Sequence, residues 1–262
     1  MHPVEHAKYC TVAETEAGLL RAAALAVAPD TPVPTCPDWT VQRLLSHCSR
    51  VFAMVTGVLA AADPSTPPSR VSGPPGDLDA IVAGYDERLA EMVAALRATD
   101  PAAPAWHFSP TAPKTAAFWA RRMAHETTVH RLDAQGAAGE DTGVDPDSAA
   151  DGIDEVLTRL LQRWTDEWPS AEHSGTVLYH AADAGRAWTV RLVPGQLPQT
   201  AQEVVAEPDA SVIGLADAVF RAAWGARRTP QSPGTGSSSQ PPVPAEPEPA
   251  PRSGPGGQQV CS

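Results

Sequence analysis

Five stretches between residues 11 and 168 read as helices, divided by proline-rich loops, and a chain so patterned has to stack its helices before it can do anything else. The first, TVAETEAGLLRAAALAV, is rich in Ala and Leu. The turn APDTPVPTCPDW follows, and a second helix runs from about Thr40 to Ala61, with Leu44, Leu45, Cys48, Val51, Phe52 and Val55 on its apolar face. Beyond the loop DPSTPPSRVSGPPGD, Ile81, Tyr85, Leu89, Met92 and Leu96 mark a third helix over 78–98. The fourth spans about 115–136. A fifth, from Ser148 to Trp168, puts Val156, Leu160, Trp164 and Trp168 on one stripe.

The period changes near Ser174. TVLYHAA, AWTVRLV, QEVVAE and ASVIG are β-type runs, and GLADAVFRAAWGA reads as a closing helix. From Thr229 the chain has nine prolines in 34 residues on a Ser/Gly background, too few apolar groups to bury a core. The expected class is α+β: an up-and-down four-helix bundle with an extra helix, then a small α/β domain and a disordered tail. The expected division is 1–170, 171–228 and 229–262.

The fourth helix carries the chemistry. Trp119, Met123, Glu126 and His130 step by four, three and four, so a carboxylate and an imidazole share a stripe with two core residues. An inward carboxylate needs a hydrogen-bond network, an ion pair or a metal. Glu126 and His130 are spaced to hold one ion from one helix face. The alternative is a buried pair tied to Arg122 or Arg131. The zincin pattern H-E-x-x-H is absent, because His125 and His130 stand five apart, about 140° around a helix. His47 interrupts the apolar face of the second helix and is the best third ligand, although a hydrogen-bonded core histidine would fit the same pattern. Two histidines and one carboxylate leave an open position, as catalytic zinc sites do; iron or another divalent metal suits the same set. Asp133 is read as an exposed surface acid, with a bond that orients His130 as the other option. Cys48 is read as a small buried side chain.

Composition excludes other classes. With 31 acidic against 19 basic residues the net charge is −12, and no basic face is available to displace counterions from nucleic acid. The beginning, MHPVEHAKYC, lacks the pattern of a signal peptide, and no apolar run approaches the roughly 20 residues of a membrane span. The four cysteines form no CxxC pair, which argues against a cysteine zinc site or a disulfide framework. A cytoplasmic monomer is expected.

VPTCPDWTVQRLLSHCSRV and, some eighty residues later, TAAFWARRMAHETTVHRLDA together resemble the mycothiol-dependent maleylpyruvate isomerase family. The likeness spans roughly residues 8–225, and GTVLYHAADAGRAWTVRLV is similar to the start of its C-terminal α/β domain. The resemblance implies a DinB-like metal-binding bundle in which His47, Glu126 and His130 hold a divalent metal, usually zinc, with water completing the shell. It also implies mycothiol as thiol cosubstrate, a small electrophile as substrate and an actinobacterial source. In that chemistry the thiolate adds to the cis double bond of maleylpyruvate, the new single bond rotates, and elimination gives fumarylpyruvate. Relatives transfer the thiol to other electrophiles, so an S-transferase shares the expectation. A non-catalytic metal-binding scaffold is the other reading. The chain departs from the family at its end, where AAWGARR passes directly into the proline-rich tail.

Overall fold

Four long helices stand side by side in the computed structural model, which describes residues 3–74, 76–163 and 174–225. They are α1 (Pro3–Leu25), α2 (Val41–Leu59), α3 (Leu78–Ala98) and α4 (Ala117–Ala137). Helix α1 lies along α4, and α2 along α3. Asp77 caps α3 by accepting from the Ala80 amide at 3.1 Å, and Thr40 caps α2 by accepting from Arg43 N at 3.3 Å. Their packed faces form one core around Leu20, Leu44, Phe52, Tyr85, Met92, Trp119 and Met123.

Two elements of the bundle differ from expectation. Helix α1 begins at Pro3, well before residue 11, because Ala13, Ala17 and Leu20 carry its buried stripe back to His6 and Cys10. The proline-rich turn after α1 holds a short antiparallel hairpin, β1 (Pro32–Val33) against β2 (Cys36–Thr40), whose Val33 and Trp39 enter the bundle core.

Helix α5 (Pro146–Glu155) starts on Asp145, whose carboxylate accepts from Ser148 N, with Pro146 in the first turn. A π-helical turn, Val156–Leu160, continues it. Then come β3 (Gly175–Ala181), β4 (Arg186–Leu192), β5 (Gln199–Ala201), β6 (Ala210–Gly214) and α6 (Ala216–Ala223). The sheet order is β5-β4-β3-β6; β6 runs parallel to β3 and the other pairs are antiparallel, with Tyr179 opposite Trp188. The β3–β4 turn closes on Gly185 at φ +61°, a left-handed conformation that glycine adopts without strain. The third strand is QTA rather than QEVVAE, which lies outside any strand: Thr189 Oγ1 donates to the Glu203 carbonyl and Val204 is exposed.

A second apolar cluster joins α5, α6, Trp188, Val190 and two residues of α4, Val129 and Leu132. The crossing of α5 and α6 depends on Gly152, where a Cβ would overlap the Phe220 ring. Trp164, Trp168 and the tail from Thr229 lie outside the described residues.

Helix α4 belongs to both cores and is buried nearly all round, so its polar side chains have to be satisfied internally. Thr127 and Thr128 donate back to carbonyls of their own helix. Arg131 reaches Glu16 on α1 and Gln135. Arg121 and His125 both bond Asp151 of α5, which also accepts from Tyr9.

Candidate metal centre

His47 comes from the second turn of α2 and Glu126 and His130 from the middle of α4. Their ligating atoms all lie within 4.8 Å of one another, the grouping expected from the sequence. The Nε2 atoms of His47 and His130 each stand 3.2 Å from Glu126 Oε1. Zinc bonds of about 2.0–2.1 Å in tetrahedral geometry put neighbouring ligand atoms roughly 3.3 Å apart, so this donor set fits a divalent cation. The imidazoles meet edge to face at 5.0 Å, and Trp39 of β2 lies over both, 4.8 Å from His47 and 6.2 Å from His130. His130 is 1% exposed, while His47 and Glu126 keep 12% and 15% of their side chains open to solvent. The open side of the site is therefore theirs.

Glu126 and His130 each have a partner behind them. His130 donates from Nδ1 to Asp133 Oδ2 at 2.8 Å, and Asp133 accepts at its other oxygen from Thr35 Oγ1 at 2.5 Å. That chain holds the imidazole with Nε2 toward Glu126. Asp133 is buried, so the expectation of a surface acid is corrected. Its neighbours belong to a helix that has no solvent face, and the hairpin supplies Thr35 to satisfy it. On the other side Arg122 Nη2 donates to Glu126 Oε2 at 3.1 Å, leaving Oε1 to face the histidines.

The charge states follow from these contacts. Burial disfavours the Glu126 carboxylate, but hydrogen bonds from His130 and His47 and the charges of His130 and Arg122 outweigh it and hold its pKa well below the usual range. Burial lowers His47, and the positive neighbours His130 and Arg50 add to it, which keeps the ring neutral as a ligand must be. Burial also opposes protonation of His130, yet bonds to Asp133 and Glu126 prevail and its pKa is pushed up to about 10. Burial pushes the Cys48 thiol far up, in keeping with a packed and unreactive side chain. His125 turns to Asp151 at 2.8 Å, away from the three ligands.

Residues 12–135, which include His47, Glu126, His130 and Asp133, match the family model of the mycothiol maleylpyruvate isomerase N-terminal domain. This segment is similar to that domain. Two solved structures share the fold over 85% of this chain and 90% of theirs, at 15% identity. One is the mycothiol-dependent maleylpyruvate isomerase, with a TM-score of 0.58, and the other is a histidine-to-alanine mutant of it, at 0.59. The likeness extends past the bundle, so the C-terminal sheet and helix are part of the shared architecture. No curated protein matches the chain.

Sequence reasoning missed Thr35 and the role of Trp39 as a cover, since both sit on a hairpin that proline content disguised as a turn. It missed Glu155 and Trp224 as well, which flank Arg122 from α5 and from the end of α6. Only an i, i+4 spacing signalled Arg122 itself.

Proposed function

We propose that the chain is a mycothiol-dependent metalloenzyme that acts on a small unsaturated electrophile, as a maleylpyruvate isomerase-like cis–trans isomerase or a thiol S-transferase. The observation that carries this reading is the convergence of two imidazole nitrogens and one carboxylate oxygen, 3.2 Å apart, on a side still open at His47 and Glu126. His47, Glu126 and His130 would hold the cation, for which zinc suits the donor set. When bound, a divalent cation supplies positive charge that lowers the pKa of a thiol brought beside it. The protein's own groups do the rest. Asp133 holds the His130 proton on Nδ1, so that Nε2 is the nitrogen that would give up its proton to a cation. Arg122 balances the outer oxygen of Glu126, and Trp39 shields the imidazoles from water. In an isomerase the thiol is a catalyst: it adds across the cis double bond, the resulting single bond turns, and elimination returns the thiol. A monomer in an actinobacterial cytoplasm, with residues 1–170 as the metal-binding unit, 171–228 as the α/β unit and 229–262 as a tail, completes the reading.

Elemental mass spectrometry on purified protein, beside His47→Ala and Glu126→Ala, tests the site, and turnover of maleylpyruvate with mycothiol tests the chemistry. One divalent ion per chain, lost in both variants, with thiol-dependent isomerisation or transfer, is the expected outcome. Bound metal without turnover on any electrophile would leave a metal-binding scaffold. Well-folded protein that takes up no metal would refute the reading altogether.

A further inference from the structure

The outer oxygen of Glu126 is governed from α5 and the end of α6. Arg122 is 3% exposed and its guanidinium is held on three sides. Nη2 donates to Glu126 Oε2 at 3.1 Å, Nη1 donates to Glu155 Oε2 at 2.5 Å, and Cζ lies 4.7 Å over the indole of Trp224. Nε has no hydrogen-bond partner among the described residues, so the two carboxylates and the indole set the orientation of the fork. Glu155 ends α5 and is 1% exposed; Trp224 caps α6, is 3% exposed and is pinned by its own Nε1, which donates to the Gly152 carbonyl at 3.2 Å. A buried guanidinium clamped between a carboxylate and an aromatic face presents its remaining N–H groups in a fixed direction. Here that direction is the metal ligand.

We infer that Glu155 and Trp224 are positioning residues for the metal centre, acting through Arg122 to hold Glu126 with one oxygen toward the two histidines. This rests on the metal reading above. Its consequence is that α5 and α6 tune the ion's affinity without touching it: without the indole and Glu155, Arg122 can swing, and the carboxylate loses the partner that fixes it. Outer-shell contacts of this kind are worth about 10–100-fold in metal affinity.

The test is zinc affinity by chelator competition on the full chain, with thermal unfolding of each metal-free protein as the check on folding. Trp224→Leu is expected to weaken zinc about tenfold, and Trp224→Phe, which keeps an aromatic face, to restore most of that loss. Glu155→Gln is expected to weaken zinc as well. Arg122→Gln combined with either change should bind no more weakly than Arg122→Gln alone, because both act through the same guanidinium. Zinc affinity within twofold of wild type in folded Trp224→Leu, or losses that multiply in the double variants, would overturn the inference. If Trp224→Leu fails to fold, the Glu155→Gln and Trp224→Phe arms decide by the same criteria. A wild-type protein that binds no zinc overturns the metal reading itself, an outcome separate from equal affinity across variants.

Discussion

Asp151→Asn should cost the fold heavily at neutral pH and less as acid is added. Asp151 accepts from Tyr9 Oη and His125 Nε2, both at 2.8 Å, and from Arg121 Nε at 3.0 Å and Nη2 at 2.9 Å, which ties α1 and α4 to α5. An amide is isosteric but uncharged, and one of its two ends must face a donor. Roughly two of the four contacts are lost. At about 1.5–3 kcal/mol for a hydrogen bond to a charged group, discounted because the carboxylate is partly exposed, the loss comes to about 3 kcal/mol. In a protein of this size that lowers the Tm by roughly 6–12 °C. Burial would raise the Asp151 pKa, but His125 and Arg121 overcome it and hold the group below its ordinary 3.8. The stabilisation is therefore fully present above 3.8 and is lost as pH falls through the lower native value. Urea denaturation of both proteins should show a constant gap from pH 7 to 5 that shrinks below 4. A gap under 0.5 kcal/mol at pH 7, or one that widens in acid, would refute the reasoning.

Gly152→Ala should destabilise by about 1–3 kcal/mol despite the better helix propensity of alanine, since its Cβ overlaps Phe220; a rise in urea midpoint would contradict the close α5–α6 crossing. Asp133→Asn should keep the fold and weaken zinc by about 10–100-fold in chelator competition, by releasing the His130 ring. Thr40→Ala should cost about 1 kcal/mol in chemical denaturation through loss of the α2 cap. Supplying zinc should raise the Tm of wild type and leave that of Glu126→Ala unchanged, because only the native site binds the ion.

The bundle and the grouping of His47, Glu126 and His130 were legible because they obey helical period: Trp119, Met123, Glu126 and His130 do share an inward stripe, and His47 does face them. Period failed where its premise failed. It assumes that a helix has a wet side, and α4 has almost none, so Asp133 was read as a surface acid although it is buried with a partner. The hairpin at Pro32–Thr40 was hidden because its prolines are turn residues by local preference, and only Val33 and Trp39 packing into the bundle core make it a strand pair. In the sheet, QEVVAE has the better β composition, yet the shorter QTA won the edge of β4, since Thr200 Oγ1 donates to the Leu157 carbonyl and anchors it to the π-helical turn. Glu155 and Trp224 were beyond reach because they meet Arg122 across 33 and about a hundred residues of chain.

Helix α4 gives one side to the core around Trp119 and the other to the core around Trp188, through Val129 and Leu132. Two cores that own a wall in common have no seam along which they can be parted. A fragment that stops before Gly175 would expose Val129, Leu132 and Ile153 to water, and a graft of the C-terminal sheet onto another bundle would arrive without its floor.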